Sequence, residues 1–293
     1  MEKTADSNQI TREYFDSILL EARYWDSDLP DVTTELFGSR FESPIMTAAL
    51  SHLDNVCPGG AVRMAGEAKA AGVLHFTGMG EAQELENILQ TGAETVRIIK
   101  PHEDDSVIFE KIRHACNAGA IAVGMDIDHC FGQNGGYDNV LGLPMHSKTT
   151  QQLKEYVRSS AKPFVVKGVL SAKDAEKCLE AGAGGIVVSH HHGIMPSAVP
   201  PLMVLPEIVK VIQHRIPVFV DCGIESGLDA FKALALGADA VCVGRHLMPL
   251  LKTEGAVAAR LREMAGELKS IMARTGAKSI QEIDPSVLRF RSF

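Results

Sequence analysis

Aromatic residues make up only 5% of the chain, with a single tryptophan. That is too few to furnish the row of stacking rings a single-stranded nucleic-acid groove needs. Positive charge is short as well: 29 lysines and arginines stand against 37 aspartates and glutamates, a net charge of -8. Such a balance argues against nucleic acid or an anionic membrane surface as the main partner. No apolar run reaches the roughly 18 residues a membrane span requires. The opening stretch MEKTADSNQITREYF lacks the apolar core of a signal peptide, so the cytoplasm is the expected compartment. The six cysteines, at 57, 116, 130, 178, 222 and 242, include no CxxC pair. In a chain of 293 residues they read as buried thiols, not as a disulfide frame. Cys130 and Cys222, near predicted strand ends, are the two candidates for reactivity.

What the chain does have is a repeat of short apolar runs. Four fall between Pro163 and Arg245, at Phe164–Lys167, Gly185–Ser189, Val218–Asp221 and Ala240–Gly244. Continuous apolar runs bounded by turn signals suit strands buried on both faces of a parallel sheet. The same pattern begins at Pro44, with strands predicted at Ile45–Ala49, Val73–Thr77, Thr95–Ile99 and Ile121–Asp126. Helices are predicted between them at Ala61–Ala71, Ala82–Gln90, Val107–Ala118 and Thr150–Ser160. Three more follow at Ala172–Ala181, Leu202–Gln213 and Leu228–Leu236, and another starts at Met248. Eight strand–helix pairs predict an α/β fold, a single (β/α)8 TIM barrel spanning residues 44–293. A doubly wound open sheet is the weaker alternative, because no Gly-rich dinucleotide turn follows the first strand. Residues 1–43 are expected to cover the barrel, with an amphipathic helix over Thr11–Arg23 and a short strand near Glu35–Phe37. The tail, Val257–Arg274, reads as a charged amphipathic helix packed outside.

Polar groups ending the later strands, Lys167, Ser189, His191, Asp221 and Arg245, would share the rim where such barrels build their chemistry. A lysine closing an apolar strand either snorkels to solvent or answers an anion, since an unpaired buried charge is unfavourable. It could also form a Schiff base. His190, His191 and His192 are adjacent, and neighbours in an extended segment face opposite ways, so the three cannot readily ligate one metal ion. One histidine poised as a base near neutral pH is the simpler reading. Gly223, Gly244 and Arg245 fall at the corner where barrels of this kind hold phosphate. The segment His129–Lys148 is longer than usual connections and carries His129 and His146. It reads equally as a lid or as a surface insertion.

The segments PFVVKG, DAEKCLEAGAGGIVVSHH, PVFVDCGI and GLDAFKALALGADAVCVGR together resemble the FMN-dependent 2-hydroxy-acid oxidases and dehydrogenases, the glycolate oxidase and lactate oxidase group. Weaker similarity runs through SPIMTAALSHL, AGAIAVGMDID and RTGAKSIQEI. The resemblance implies FMN at the strand ends and a homotetramer acting on a small molecule. Lys167 matches the lysine that stabilises negative charge on the reduced ring, His191 the base that takes the substrate hydroxyl proton, and Asp128 the aspartate that steadies it. Ser189, Asp221 and Gly223 match ribityl-side or phosphate-side positions, and Gly244 with Arg245 the phosphate clamp. Thr77 and the backbone of Ala48 and Ala49 fall where the flavin is lined. Arg97 and Asp126 fall on flavin-contacting positions usually held by Gln and Thr.

Departures concentrate on the substrate side. Ile194 stands in place of the carboxylate-gripping arginine, which removes a strong bidentate contact. Ile99 stands in place of a strand-three tyrosine, and Glu225 in place of a second arginine near the phosphate. The N-terminal helical region carrying another substrate tyrosine is largely missing. Either His190, His192 or a loop residue supplies a substitute grip, or the substrate is less anionic than lactate. The expected activity is FMN-dependent dehydrogenation of a hydroxyl-bearing carbon. The alternatives are a flavin-dependent isomerase or lyase resembling type 2 isopentenyl diphosphate isomerase, and a non-catalytic FMN-binding protein.

Overall fold

Short runs of β-branched and small apolar residues pair as eight parallel strands: β1 (Ile45–Leu50), β2 (His75–Thr77), β3 (Thr95–Ile99), β4 (Ala122–Asp126), β5 (Phe164–Val169), β6 (Gly185–Val188), β7 (Val218–Val220) and β8 (Ala240–Val243). In the computed structural model, which describes residues 6–291, each strand pairs with the next and β8 pairs with β1, closing a barrel. This is the (β/α)8 architecture expected from the strand–helix alternation. Phe76 of β2 and Phe219 of β7 meet edge to face at 5.1 Å inside it, and Phe37 stacks on Phe219 at 5.9 Å. The interior is therefore a packed core and not a pore. Phe37 sits on the turn of a hairpin formed by Thr34–Leu36 and Ser39–Phe41, which lies close to the strand expected near Glu35–Phe37.

Two expectations at the chain ends are corrected. The N-terminal helix spans Ser7–Ser17, capped by Asp6, and does not run on to Arg23. Ile18–Leu20 instead forms a strand antiparallel to Leu288–Phe290, so apolar residues placed on the helix belong to a sheet whose partner is the far end of the chain. The tail helix, Ala256–Thr275, is not an external appendage. It packs against helices Gly60–Ala71 and Gly227–Ala235, burying Val257, Leu261, Met264, Leu268 and Met272, and so is the eighth helix of the ring. The segment at Met248–Lys252 is only a 3-10 turn. Gly227 permits the approach of the tail helix, since a Cβ there would lie 2.4 Å from the Leu268 amide nitrogen.

Among the described residues no helix is long and apolar enough to cross a membrane. All six cysteines are unpaired thiols. Burial, with Asp221 beside it, pushes the Cys222 thiol up to about 12, and burial raises Cys130 too, so neither is the reactive thiolate considered above.

Candidate active site at the barrel mouth

Strand alternation selects which side chains reach the mouth. Lys167 on β5 pairs with Asp126 on β4, and partners in a parallel ladder share a face, so both point inward. Both are almost fully buried. The Lys167 ammonium lies 3.2 Å from Ser189 Oγ, 3.3 Å from His191 Nδ1, 3.5 Å from Asp221 and 3.6 Å from Asp126. Asp126 also takes Lys100, from the end of β3, at 2.5 Å. Burial opposes the charge on Lys167, but Asp221 and Asp126 outweigh it and hold its pKa well above the ordinary lysine value. Burial likewise opposes ionisation of Asp126, and Lys167 with Lys100 keeps it well below the carboxylate range.

His191 leaves β6 through a turn in which His191, His192 and Gly193 all have positive φ, at 50°, 55° and 78°. Two consecutive non-glycine residues in that region mark backbone held by its surroundings, a recurrent feature of functional sites. The turn aims His191 Nδ1 at Asp128 Oδ1, 2.9 Å away, with Asp126 Oδ1 at 3.2 Å. Asp128 reaches this position over Gly168, whose φ is +92° and whose Cβ, if present, would lie 2.6 Å from the Asp128 carboxyl. Burial and Lys167 push the His191 pKa down, yet the two carboxylates prevail and raise it.

A cavity of about 360 Å³ opens beside this cluster, lined by Ala48, Ala49, Lys167, His191, Asp221 and Gly223 on one side and by Gly244 and Arg245 on the other. Arg245 is exposed and its side chain makes no hydrogen bond or ion pair among the described residues, so its guanidinium is available to an anion. Asn8, Thr11 and Arg12 of the N-terminal helix complete the wall. Arg12 and Glu225 both line the cavity, and Arg12 bridges to Asp229 at 2.8 Å and donates to the Gly223 carbonyl at 3.3 Å. A buried ammonium at one end, an unpaired guanidinium at the other and small residues between them fit a phosphorylated flavin.

Several residues carried over by resemblance lie elsewhere. Arg97 pairs with Val123 and Thr77, and it borders a groove with Leu85, Val107 and Lys111 of the surrounding helices. That row, with Thr77 and Ile99, therefore faces outward, and the mouth-facing residues of β3 and its end are Ile98 and Lys100. The assignment on β3 was one residue out of step, which inverts the face. His190 is also turned away, with Nε2 at 2.8 Å from Thr11 Oγ1 and Nδ1 accepting from the Gly193 amide at 2.9 Å. Both nitrogens are engaged, so His190 is no substrate grip. His192 is exposed and lines the cavity, while Ile194 is half-buried and does not line it.

Lys100 and Arg12 escaped the sequence reading, and His129 figured in it only as one histidine of a long segment. The segment 129–148 folds into a small hairpin, Asn139–Val140 against Leu143–Pro144. From its base His129 places Nε2 at 3.1 Å from His191 Nε2. Asp126, His129 and His191 present ligand-type atoms within 4.8 Å of one another. The two ammonium groups already against Asp126 would oppose a dication there.

The chain matches the FMN-dependent dehydrogenase family over residues 2–160 and 142–290. It is 31% identical to glycolate oxidase of Spinacia oleracea over 295 residues, covering 87% of this chain and 80% of that one. To 4-hydroxymandelate oxidase of Amycolatopsis orientalis it is 32% identical over 291 residues, 86% and 82% of the two chains. Among solved structures, a tyrosine-to-phenylalanine variant of mandelate oxidase with a C4a-hydroxy FMN adduct superposes with a TM-score of 0.90 at 27% identity, covering 99% and 93%. On this likeness the chain belongs to the FMN-dependent 2-hydroxy-acid oxidase family and takes FMN as its cofactor.

Proposed function

We propose that His191, held by Asp128 and set beside Lys167, is the base that takes the hydroxyl proton of a 2-hydroxy acid or a related, less anionic alcohol. FMN, when bound, supplies the two-electron acceptor. Lys167 places a fixed positive charge at the barrel mouth, where charge developing on the acceptor would be stabilised. Asp128 keeps the proton on His191 Nδ1 and leaves Nε2 to receive one. Arg245, Gly244 and Gly223 hold the phosphate, Asp221 and Ser189 flank the ribityl chain, and Ala48 and Ala49 back the ring. With Ile194 in place of the arginine fork, the substrate carboxylate has a weaker hold than in relatives named for mandelate or glycolate, and His192 is the cavity residue placed to contribute to it. The isomerase alternative draws no support from those relatives, all of which are oxidases.

The observation carrying this reading is the 2.9 Å contact between Asp128 and His191 Nδ1, with the Lys167 ammonium 3.3 Å from the same nitrogen. Anaerobic bleaching of the flavin absorbance by a panel of 2-hydroxy acids, their amides and neutral alcohols tests it. His191→Ala should slow bleaching by at least about a hundredfold, the usual scale of general-base loss. Bleaching at the parental rate would defeat the assignment. A homotetramer is carried over from the resemblance and a cytoplasmic location from the sequence reading; light scattering and fractionation check the two.

A further inference from the structure

We infer that His129 and His191 share a single proton between their Nε2 atoms, and that His129 is the positioning residue through which the base exchanges its proton with solvent. Its consequence for turnover rests on His191 being the base; the proton count rests on geometry alone. Four groups form a chain of contacts: Asp138 Oδ2 to His129 Nδ1 at 3.1 Å, His129 Nε2 to His191 Nε2 at 3.1 Å, and His191 Nδ1 to Asp128 Oδ1 at 2.9 Å. The rings meet edge on, at an interplanar angle of 82°. A carboxylate accepts and does not donate, so each Nδ1 must carry a hydrogen. The inner contact then needs one hydrogen: none would leave two nitrogens 3.1 Å apart with no donor between them, and two would set two imidazolium cations in contact, ring centroids 4.2 Å apart. Two rings with three N–H hydrogens carry one positive charge.

The surrounding charges agree with that count. Lys100 and Lys167 reach the cluster from β3 and β5, against Asp126 and Asp128 from the end of β4 and Asp221 from the end of β7. With Asp138 against His129, two ammonium groups face four carboxylates and leave two negative charges, which favour a positive charge on the histidine pair. Burial, Lys100 and His191 disfavour the charged form of His129, while the carboxylates favour it on His191, so the proton rests mainly on His191. Its Nε2 therefore cannot accept from substrate until that hydrogen has left. His191, 23% exposed, opens onto the cavity that flavin and substrate would fill, whereas His129 and Asp138, 22% and 25% exposed, do not line that cavity and reach solvent outside it. One proton leaves through them to water, and the substrate hydroxyl proton restores the pair, so each turnover balances.

The holoenzyme with 15N-labelled histidine tests this by NMR titration, together with the pH profile of anaerobic flavin reduction. In the parent, two imidazoles should titrate as one coupled event, and reduction should quicken as pH rises through it. His129→Phe removes the acceptor for the His191 Nε2–H, so both the NMR midpoint and the kinetic limb should fall by about one pH unit, a tenfold loss of proton affinity. His129→Gln keeps an acceptor oxygen and should restore most of that shift, with His191 now titrating alone. A His191 titration identical in the parent and both variants would overturn the inference. So would stoichiometric metal in the parent that is lost in both variants, since the facing nitrogens would then be ligands. Flavin reduction surviving His191→Ala would sink the base assignment and not the proton count, which the NMR reads independently.

Discussion

At the scale of single residues, the site depends on what is missing as much as on what is present. Gly168 has a left-handed backbone and leaves the space that Asp128 fills. Gly168→Ala should push Asp128 off His191 and, by an Ångström-scale misplacement, lower the rate of flavin reduction roughly a hundredfold. Its positive φ should also cost stability by about 1 kcal/mol. Stopped-flow reduction and a thermal melt would read the two effects separately, and an unchanged rate would mean that Asp128 does not position the base. A second residue acts through pH. His75 is fully buried against Thr47, with Nδ1 at 2.7 Å from the hydroxyl and Nε2 unpartnered, and burial lowers its pKa to about 3. Its folded pKa lies below the unfolded value of about 6.5. Between those values the unfolded chain holds the extra proton, so stability falls as pH falls, by up to about 1.4 kcal/mol per pH unit. Melting curves from pH 7 to 4.5 should show a shallower decline for His75→Gln than for the parent, and parallel declines would contradict it.

At the scale of elements, the sequence was informative about where strands and helices lie and much less so about which way they face. Ala82–Gln90, Thr95–Ile99 and Ala172–Ala181 fall where periodicity and turn signals put them. A strand such as TVRII, buried on both faces, has no alternation to reveal its inward side. Resemblance set Arg97 and Ile99 at the mouth, and nothing in the strand's own pattern pointed instead to Ile98 and Lys100. In the histidine triplet it was resemblance that singled out His191, whose ring the structure turns to Asp128. The positive φ at His191 and His192, which swings His190 toward the N-terminal helix, has no glycine to announce it until Gly193. His129 was visible only as one histidine in a long segment, since its partner Asp138 becomes adjacent only once the hairpin forms. Nor does local pattern disclose that Ile18–Leu20 pairs with a strand some 270 residues away.

At the scale of the whole molecule, that long-range pairing ties the two chain ends into one clasp over the site. Leu288–Phe290 holds Ile18–Leu20, the Arg291 amide donates to the Ser17 carbonyl at 2.9 Å, and Arg23 meets Asp284 at 2.6 Å. The helix thereby anchored presents Asn8 to the His192 carbonyl at 3.2 Å, Thr11 to His190 and Arg12 to the phosphate side of the cavity. The barrel itself closes without this clasp, because its ring of strands begins at Ile45 and is complete by Val243. Ending the chain at Val287 should therefore loosen the cavity wall while sparing the strands. FMN affinity, followed by recovery of flavin fluorescence on dilution, should weaken by about tenfold, equivalent to about 1.4 kcal/mol, with the far-UV circular dichroism of the barrel kept. If the shortened chain holds FMN as tightly as the parent, the contacts of Arg12 with Asp229 and of Lys232 with the Phe15 carbonyl suffice to seat the helix, and the clasp has no part in holding the cofactor.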